Sequence, residues 1–190
     1  MSAAGDRSSA ASETGTTGPA LDVEIIAEDG DWSAFEPCGA AIAAAAQALA
    51  RRLGLEGATA VIALSSDGHV RALNKQFRSK DAATNVLSFP APPQVRAAPR
   101  ALGDIVLAAE TVRREAAELA IPPRHHLQHL VVHGLLHLLG HDHASDAEAE
   151  AMEAIEIEVL ATLGVANPYL EPDAVSQPAA VRGGNKRTTR

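Results

Sequence analysis

The chain has 190 residues, 46% hydrophobic and 3% aromatic, with a formal net charge of −8 at pH 7. That is room for one domain of ordinary size, and much of the apolar share is alanine, so leucine, isoleucine and valine must supply the core. The acidity argues against binding duplex nucleic acid through the whole surface. A single cysteine, Cys38, excludes a disulfide framework within the chain, and the longest apolar run, Ala40–Ala46, is far too short to span a membrane.

Residues 1–20, rich in Ser, Thr, Ala and Gly, read as a disordered extension without the basic start or apolar centre of a secretory signal, so the cytoplasm is the expected location. Val23–Ala27 reads as a short strand. Cys38–Arg52 reads as a helix ended by Gly54, with Cys38 a small core residue. Ala58–Leu64 is apolar and β-branched, a buried strand, and Asp67 is placed to cap a helix through Val70, Leu73, Asn74 and Phe77. Asn85–Phe89 reads as a strand stopped by Pro90, Ala91–Arg100 as a proline-rich loop, and Ile105–Ala108 as another strand. Glu110–Leu119 is helical. A further helix starts at Pro122 and Pro123 and ends at Gly140. Ser145 caps the last helix with Glu148 as capping-box partner, and that helix runs through Met152, Ile155, Val159 and Leu163 to Gly164. Residues 171–190 read as a disordered tail. The folded part, 21–170, is expected to be a single layered α+β domain, a small mixed sheet of about four strands packed with about five helices.

All histidines except His69 fall between His125 and His143, in a segment that ends HGLLHLLGHDH. His133 and His137 are four residues apart on the expected helix, which puts both rings on one face. Gly140 breaks that helix, and His143 lies just past the turn, where it can supply a third nitrogen. Three neutral imidazoles suit one zinc ion, and three protein ligands leave a fourth position for water. Zinc lowers the pKa of such a water to about 7, so the expected chemistry is hydrolytic. A structural zinc is the alternative, although structural sites usually carry cysteine and four protein ligands. The spacing also fits the zinc-peptidase pattern H-E-x-x-H-x-x-G-x-x-H, but Gly134 stands where that pattern has its general base. Met152 is read as a core position. His129 is read as a cleft residue or a partly buried polar one, and Asp142 as an acceptor for a ligand ring or a turn former. His69, His125 and His126 are expected to be exposed.

The stretch LNKQFRSKDAATNVLSFP, Leu73–Pro90, gathers Lys75, Arg78 and Lys80 at a helix end, with Arg71 nearby. A basic patch beside a metal cleft suits a phosphodiester, because arginine binds phosphate through two parallel hydrogen bonds. LNKQFRSKDAATNVLSFP, then LGDIVLA from Leu102, then HGLLHLLGHDH, resemble in content and order the YbeY family of bacterial endoribonucleases, over roughly Val23–Gly164.

The resemblance implies zinc on three histidines, matching His133, His137 and His143, one ion per chain, and a functionally important arginine, matching Arg78. It implies cleavage of single-stranded RNA, processing of the 16S rRNA 3′ end, late 30S assembly and ribosome quality control. The implied partners are therefore the 16S precursor and the 30S subunit or its proteins, with neither membrane nor DNA. Two routes are compatible with such a site. Water can attack directly, or the RNA 2′-hydroxyl can attack and leave a 2′,3′-cyclic phosphate. A zinc peptidase and a non-catalytic assembly factor with a structural zinc remain the rival classes. Two departures from the family stand in the loop after Arg78: Ser79 where a glycine is common, and Ala83 where a proline is common.

Overall fold

A computed structural model describes residues 20–92 and 100–170. The expectations for the two terminal extensions, and for most of the Ala91–Arg100 loop, lie outside those residues. Four strands form one sheet: β1 (Leu21–Ala27), β2 (Ala58–Ser65), β3 (Val86–Pro90) and β4 (Arg100–Ala108), in the order β1-β2-β4-β3. The first three in that order run parallel, and β3 is antiparallel to β4 at the edge. Five helices complete the α+β domain: α1 (Cys38–Leu53), α2 (Asp67–Arg78), α3 (Ala109–Glu118), α4 (Pro123–Leu139) and α5 (Asp146–Thr162). No helix among the described residues is long and apolar enough to cross a membrane.

The main core lies on one face of the sheet. Alternate side chains of β2 (Ala60, Ile62, Leu64) and Ile105 and Leu107 of β4 meet Ile42, Ala45 and Leu49 of α1 and Val131, Leu135 and Leu138 of α4. Cys38 belongs to this core, and its thiol is pushed up to about 11, first by burial and then by Glu36. Met152 and Val159 of α5 close it from outside α4. The helix α4 is therefore wrapped by sheet, α1 and α5, which buries most of its length, His126 and Gln128 included. The other face of the sheet carries a smaller cluster, in which Val70 of α2 meets Ala63, Leu87 and Val106.

Several boundaries differ from the sequence reading. Ser66, not Asp67, caps α2, its hydroxyl accepting from the His69 N–H. Asp67 is the first helical residue and is used across elements. Its N–H donates to Glu110 and its carboxylate accepts from the Thr111 N–H, tying the starts of α2 and α3 together. The strand β4 begins at Arg100 rather than Ile105, with a register shift opposite Thr59/Ala60. Gly103 makes this possible: at φ 130° a Cβ there would lie 2.2 Å from the Phe89 carbonyl oxygen. Pro90 is the last residue of β3 rather than a stop before it; edge strands tolerate proline because one side needs no N–H donor.

Candidate metal centre

The C-terminal half of α4 is held in one orientation by its packing, so His133 and His137 emerge on its least covered side. Gly140 caps the helix at φ 95°, a left-handed conformation that reverses the chain. That reversal brings His143 back to the other two. The three residues each offer a ring nitrogen within 4.8 Å of the others, a spacing that could hold one metal ion.

Ring orientation is set by the partners of the inner nitrogens. His133 Nδ1 is 2.9 Å from Glu156 Oε1, and His137 Nδ1 is 3.0 Å from the His141 carbonyl. A carboxylate and a carbonyl only accept, so each Nδ1 carries the proton and, in the neutral ring, each Nε2 presents a lone pair. The two Nε2 atoms are 3.1 Å apart. Two lone pairs at that distance repel unless a positive centre is shared. Two nitrogens on one tetrahedral zinc, each about 2.0–2.1 Å from it, stand about 3.3 Å apart. The donor set and its spacing therefore fit a metal. His137 is also kept neutral: burial, then His133 and His143, lower its pKa from the ordinary 6.5.

The histidines open onto a cleft of about 530 Å³, lined also by Arg78, Asn85 and Ser88. Arg78, the last residue of α2, reaches this cleft from the opposite side of β3. Its neighbours are less available than the sequence suggests. Arg71 and Lys75 both bond to Asp81, at 2.7 and 2.9 Å, so two of the four cations of the expected basic patch are engaged with one carboxylate. Arg78 and Lys80 make no ion pair among the described residues. The loop that follows is anchored by Asn74, whose side chain donates to the Ala82 carbonyl and whose own carbonyl accepts from the Lys80 N–H. Ser79 sits at φ 57°, a left-handed conformation that favours glycine.

A larger hollow of about 1240 Å³ lies over the far side of the sheet and contains none of the clustered histidines. Its lining includes Asp22, Glu24, Glu28 and Asp104, a poor setting for a phosphate.

Gly134 faces the sheet. A Cβ there would stand 2.9 Å from Ile105 Cδ1 and 3.2 Å from Ser88 Oγ, and the Gly134 carbonyl accepts from that hydroxyl. A side chain at this position would have to push Ile105 and Ser88 aside, and glycine supplies no general base, which counts against the peptidase reading. Asp142 turns the chain by accepting from the His143 N–H and does not orient a ligand ring. His129 faces away from the cleft, onto Glu156. His69 is exposed, as expected, and His125 is half-buried. His126 corrects the expectation of exposure: it is 4% exposed and bonded to Glu115. Its side of α4 is covered by packing that residue type alone does not reveal.

Sequence reasoning missed Glu156. It is fully buried, with Oε1 on His133 and Oε2 on His129 and on the Tyr169 hydroxyl. Burial alone would raise its carboxyl pKa, but the bonds from His129, His133 and Tyr169 outweigh that and hold it at about 2. A signal was present: Glu156 falls on the apolar stripe of α5 between Met152 and Val159, where an unpaired carboxylate would be costly.

A layered α+β domain that presents three histidines at the end of a buried helix, opposite an exposed arginine, defines a small protein built around one metal-competent cleft. The chain belongs to the YbeY family: the family model described as Endoribonuclease YbeY matches residues 33–164. Among its relatives is the Endoribonuclease YbeY of Rhizobium meliloti, 48% identical over 160 residues, covering 79% of this chain and 95% of the relative. That of Azorhizobium caulinodans is 46% identical over 156 residues, covering 80% and 98%. A Bradyrhizobium relative of the same description is 49% identical over 160 residues, covering 80% and 95%. A solution structure of a Thermotoga maritima protein covers 82% of this chain and 99% of its own, at 24% identity and a TM-score of 0.48.

Proposed function

We propose that this chain is a zinc-dependent endoribonuclease that cuts single-stranded RNA, with His133, His137 and His143 as the metal ligands and Arg78 as the catalytic phosphate-binding residue. The observation that carries the metal reading is the pair of Nε2 lone pairs 3.1 Å apart, each with its Nδ1 proton already engaged. The family relatives, named as endoribonucleases, supply the substrate class. Bound at these nitrogens, zinc supplies a Lewis acid and a water of lowered pKa.

The chain's own residues account for the rest. Arg78 lines the cleft, which it shares with Asp142, and makes no ion pair among the described residues, so its guanidinium can grip a phosphate and stabilise charge that develops there. Glu156 and the His141 carbonyl hold the two helical histidines as Nε2 donors. Asn85 lines the cleft but is engaged: its amide donates to Glu115, and its side-chain oxygen accepts from the Val86 N–H. It shapes the wall rather than reading a base.

The biological setting in this proposal is maturation of the 16S rRNA 3′ end and late assembly and quality control of the 30S subunit, in the cytoplasm, and the family resemblance supports it. An acidic protein with few aromatic rings has little of its own with which to hold RNA. Cutting of isolated RNA is therefore weak, and the resemblance to the family supports the 30S subunit or one of its proteins as the partner that delivers the substrate.

Arg78→Ala separates this reading from a structural zinc. The variant should fold and load metal like the wild type while turnover on RNA falls about 100-fold or more, the scale of a lost electrostatic contact to a transition state. Cleavage equal to that of a Lys80→Ala control would remove Arg78 from the mechanism.

A further inference from the structure

We propose that Glu156 is the positioning residue of the metal centre, and that Tyr169 and His129 hold it for that task. The inference rests on the metal reading above and adds to it how the site is kept ready. Glu156 is fully buried, yet it belongs to α5, a different element from any of the three histidines. Its side chain crosses to α4 and meets two residues one helical turn apart. Oε1 accepts a hydrogen bond from His133 Nδ1–H at 2.9 Å and Oε2 lies 2.9 Å from His129 Nε2. The Tyr169 hydroxyl, from the segment after α5, donates to the same Oε2. His129 stacks edge-on between its neighbours, its ring centroid 5.7 Å from Tyr169 and 6.3 Å from His133.

This arrangement does two things that a merely filled core would not. It leaves His133 one tautomer, with Nε2 unprotonated and aimed at His137 and His143. It also fixes the ring about its Cβ–Cγ bond, since the Nδ1–Oε1 bond has only one direction available. A carboxylate behind a ligand histidine further raises the basicity of the nitrogen that faces the metal. His137 obtains its tautomer from the His141 carbonyl, a backbone group of the adjacent turn. His133 has no such local acceptor and depends on α5. Helix α5, with the residues up to Tyr169, is thus part of the metal centre although it contributes no ligand.

The test uses the full chain with Glu156→Leu, which keeps the volume and removes the acceptor, and Tyr169→Phe, which removes one donor to Oε2. Zinc affinity is measured by competition with a chromophoric chelator. Folding is followed by circular dichroism, and the His133 tautomer is read from ring nitrogen shifts in metal-free protein. Weakening of zinc binding by about 10- to 100-fold in Glu156→Leu is expected, the range seen when such outer partners are lost. Tyr169→Phe should give a smaller loss in the same direction, and His133 should be Nδ1-protonated in the wild type and mixed in Glu156→Leu. If Glu156→Leu does not fold, Tyr169→Phe and the wild-type tautomer decide the matter. Wild-type affinity in both variants, or an Nε2-protonated His133 in the wild type, overturns the positioning role alone. A wild-type chain that binds no zinc overturns the metal reading and this role with it.

Discussion

Glu156 carries its negative charge with no access to solvent, and that has a measurable consequence for stability. Folding lowers its carboxyl from the ordinary 4.5 to about 2, so across that interval the unfolded chain binds more protons and stability rises with pH. The contribution is fully present above pH 4.5 and is lost as the pH falls towards 2. Its size is on the order of 3 kcal/mol. Urea midpoints of metal-free protein at about pH 5 and about pH 3 should differ clearly in the wild type and much less in Glu156→Gln; equal slopes would mean that the carboxylate is not held this way. At the same scale, the three clustered histidines were legible because helical spacing and a glycine stop are local. The acceptors behind them were not. Nothing in the sequence near His133 announces a carboxylate 23 positions away. His126 was misread for a related reason: its exposure is decided by the elements that cover α4.

The helix α4 packs against the sheet closely enough that a side chain at one position would have to displace its neighbours. Gly134 meets Ile105 and Ser88, and its carbonyl is used by the Ser88 hydroxyl. Restoring the peptidase glutamate by Gly134→Glu should therefore not create a peptidase. It should cost about 3 kcal/mol or more, through overpacking and burial of an unpaired carboxylate. A thermal melt of the variant checks this, and a variant as stable as wild type would show that the helix can shift. Element existence was well predicted wherever periodicity or a cap was local, as for α1, α4 and the Ser145–Glu148 capping box. The start of β4 was missed because Leu102–Asp104 contains a glycine and a charge. Only the pairing with β2 and β3 makes that stretch a strand. Likewise, Asp67 was read as the cap of α2, whereas Ser66 caps it and Asp67 bridges to α3, a use that only the packing of the two helices creates.

Across the whole molecule, the three clustered histidines come from the end of α4 and the turn after it, while the main core is formed by α1, α4, α5 and the sheet without them. Chelation should leave the domain folded. Zinc should then raise the melting temperature by mass action, worth about 4 kcal/mol at a thousandfold excess over its dissociation constant. Calorimetry with and without chelator tests this, and a chain that unfolds on chelation would favour a structural zinc. The α+β class was legible from the succession of strands and helices. The order β1-β2-β4-β3 was not, since it depends on which strands pair, and that order is what lets Arg78 approach the histidines around an edge strand.

The most direct test of the central claim is cleavage of a precursor 16S 3′-end transcript by metal-loaded wild type and by His137→Ala, purified in parallel with bound metal quantified in both. Loss of both cleavage and metal in the variant is the predicted result and places the nuclease at the three histidines. Equal cleavage by the two proteins would contradict it, because the activity would then reside elsewhere.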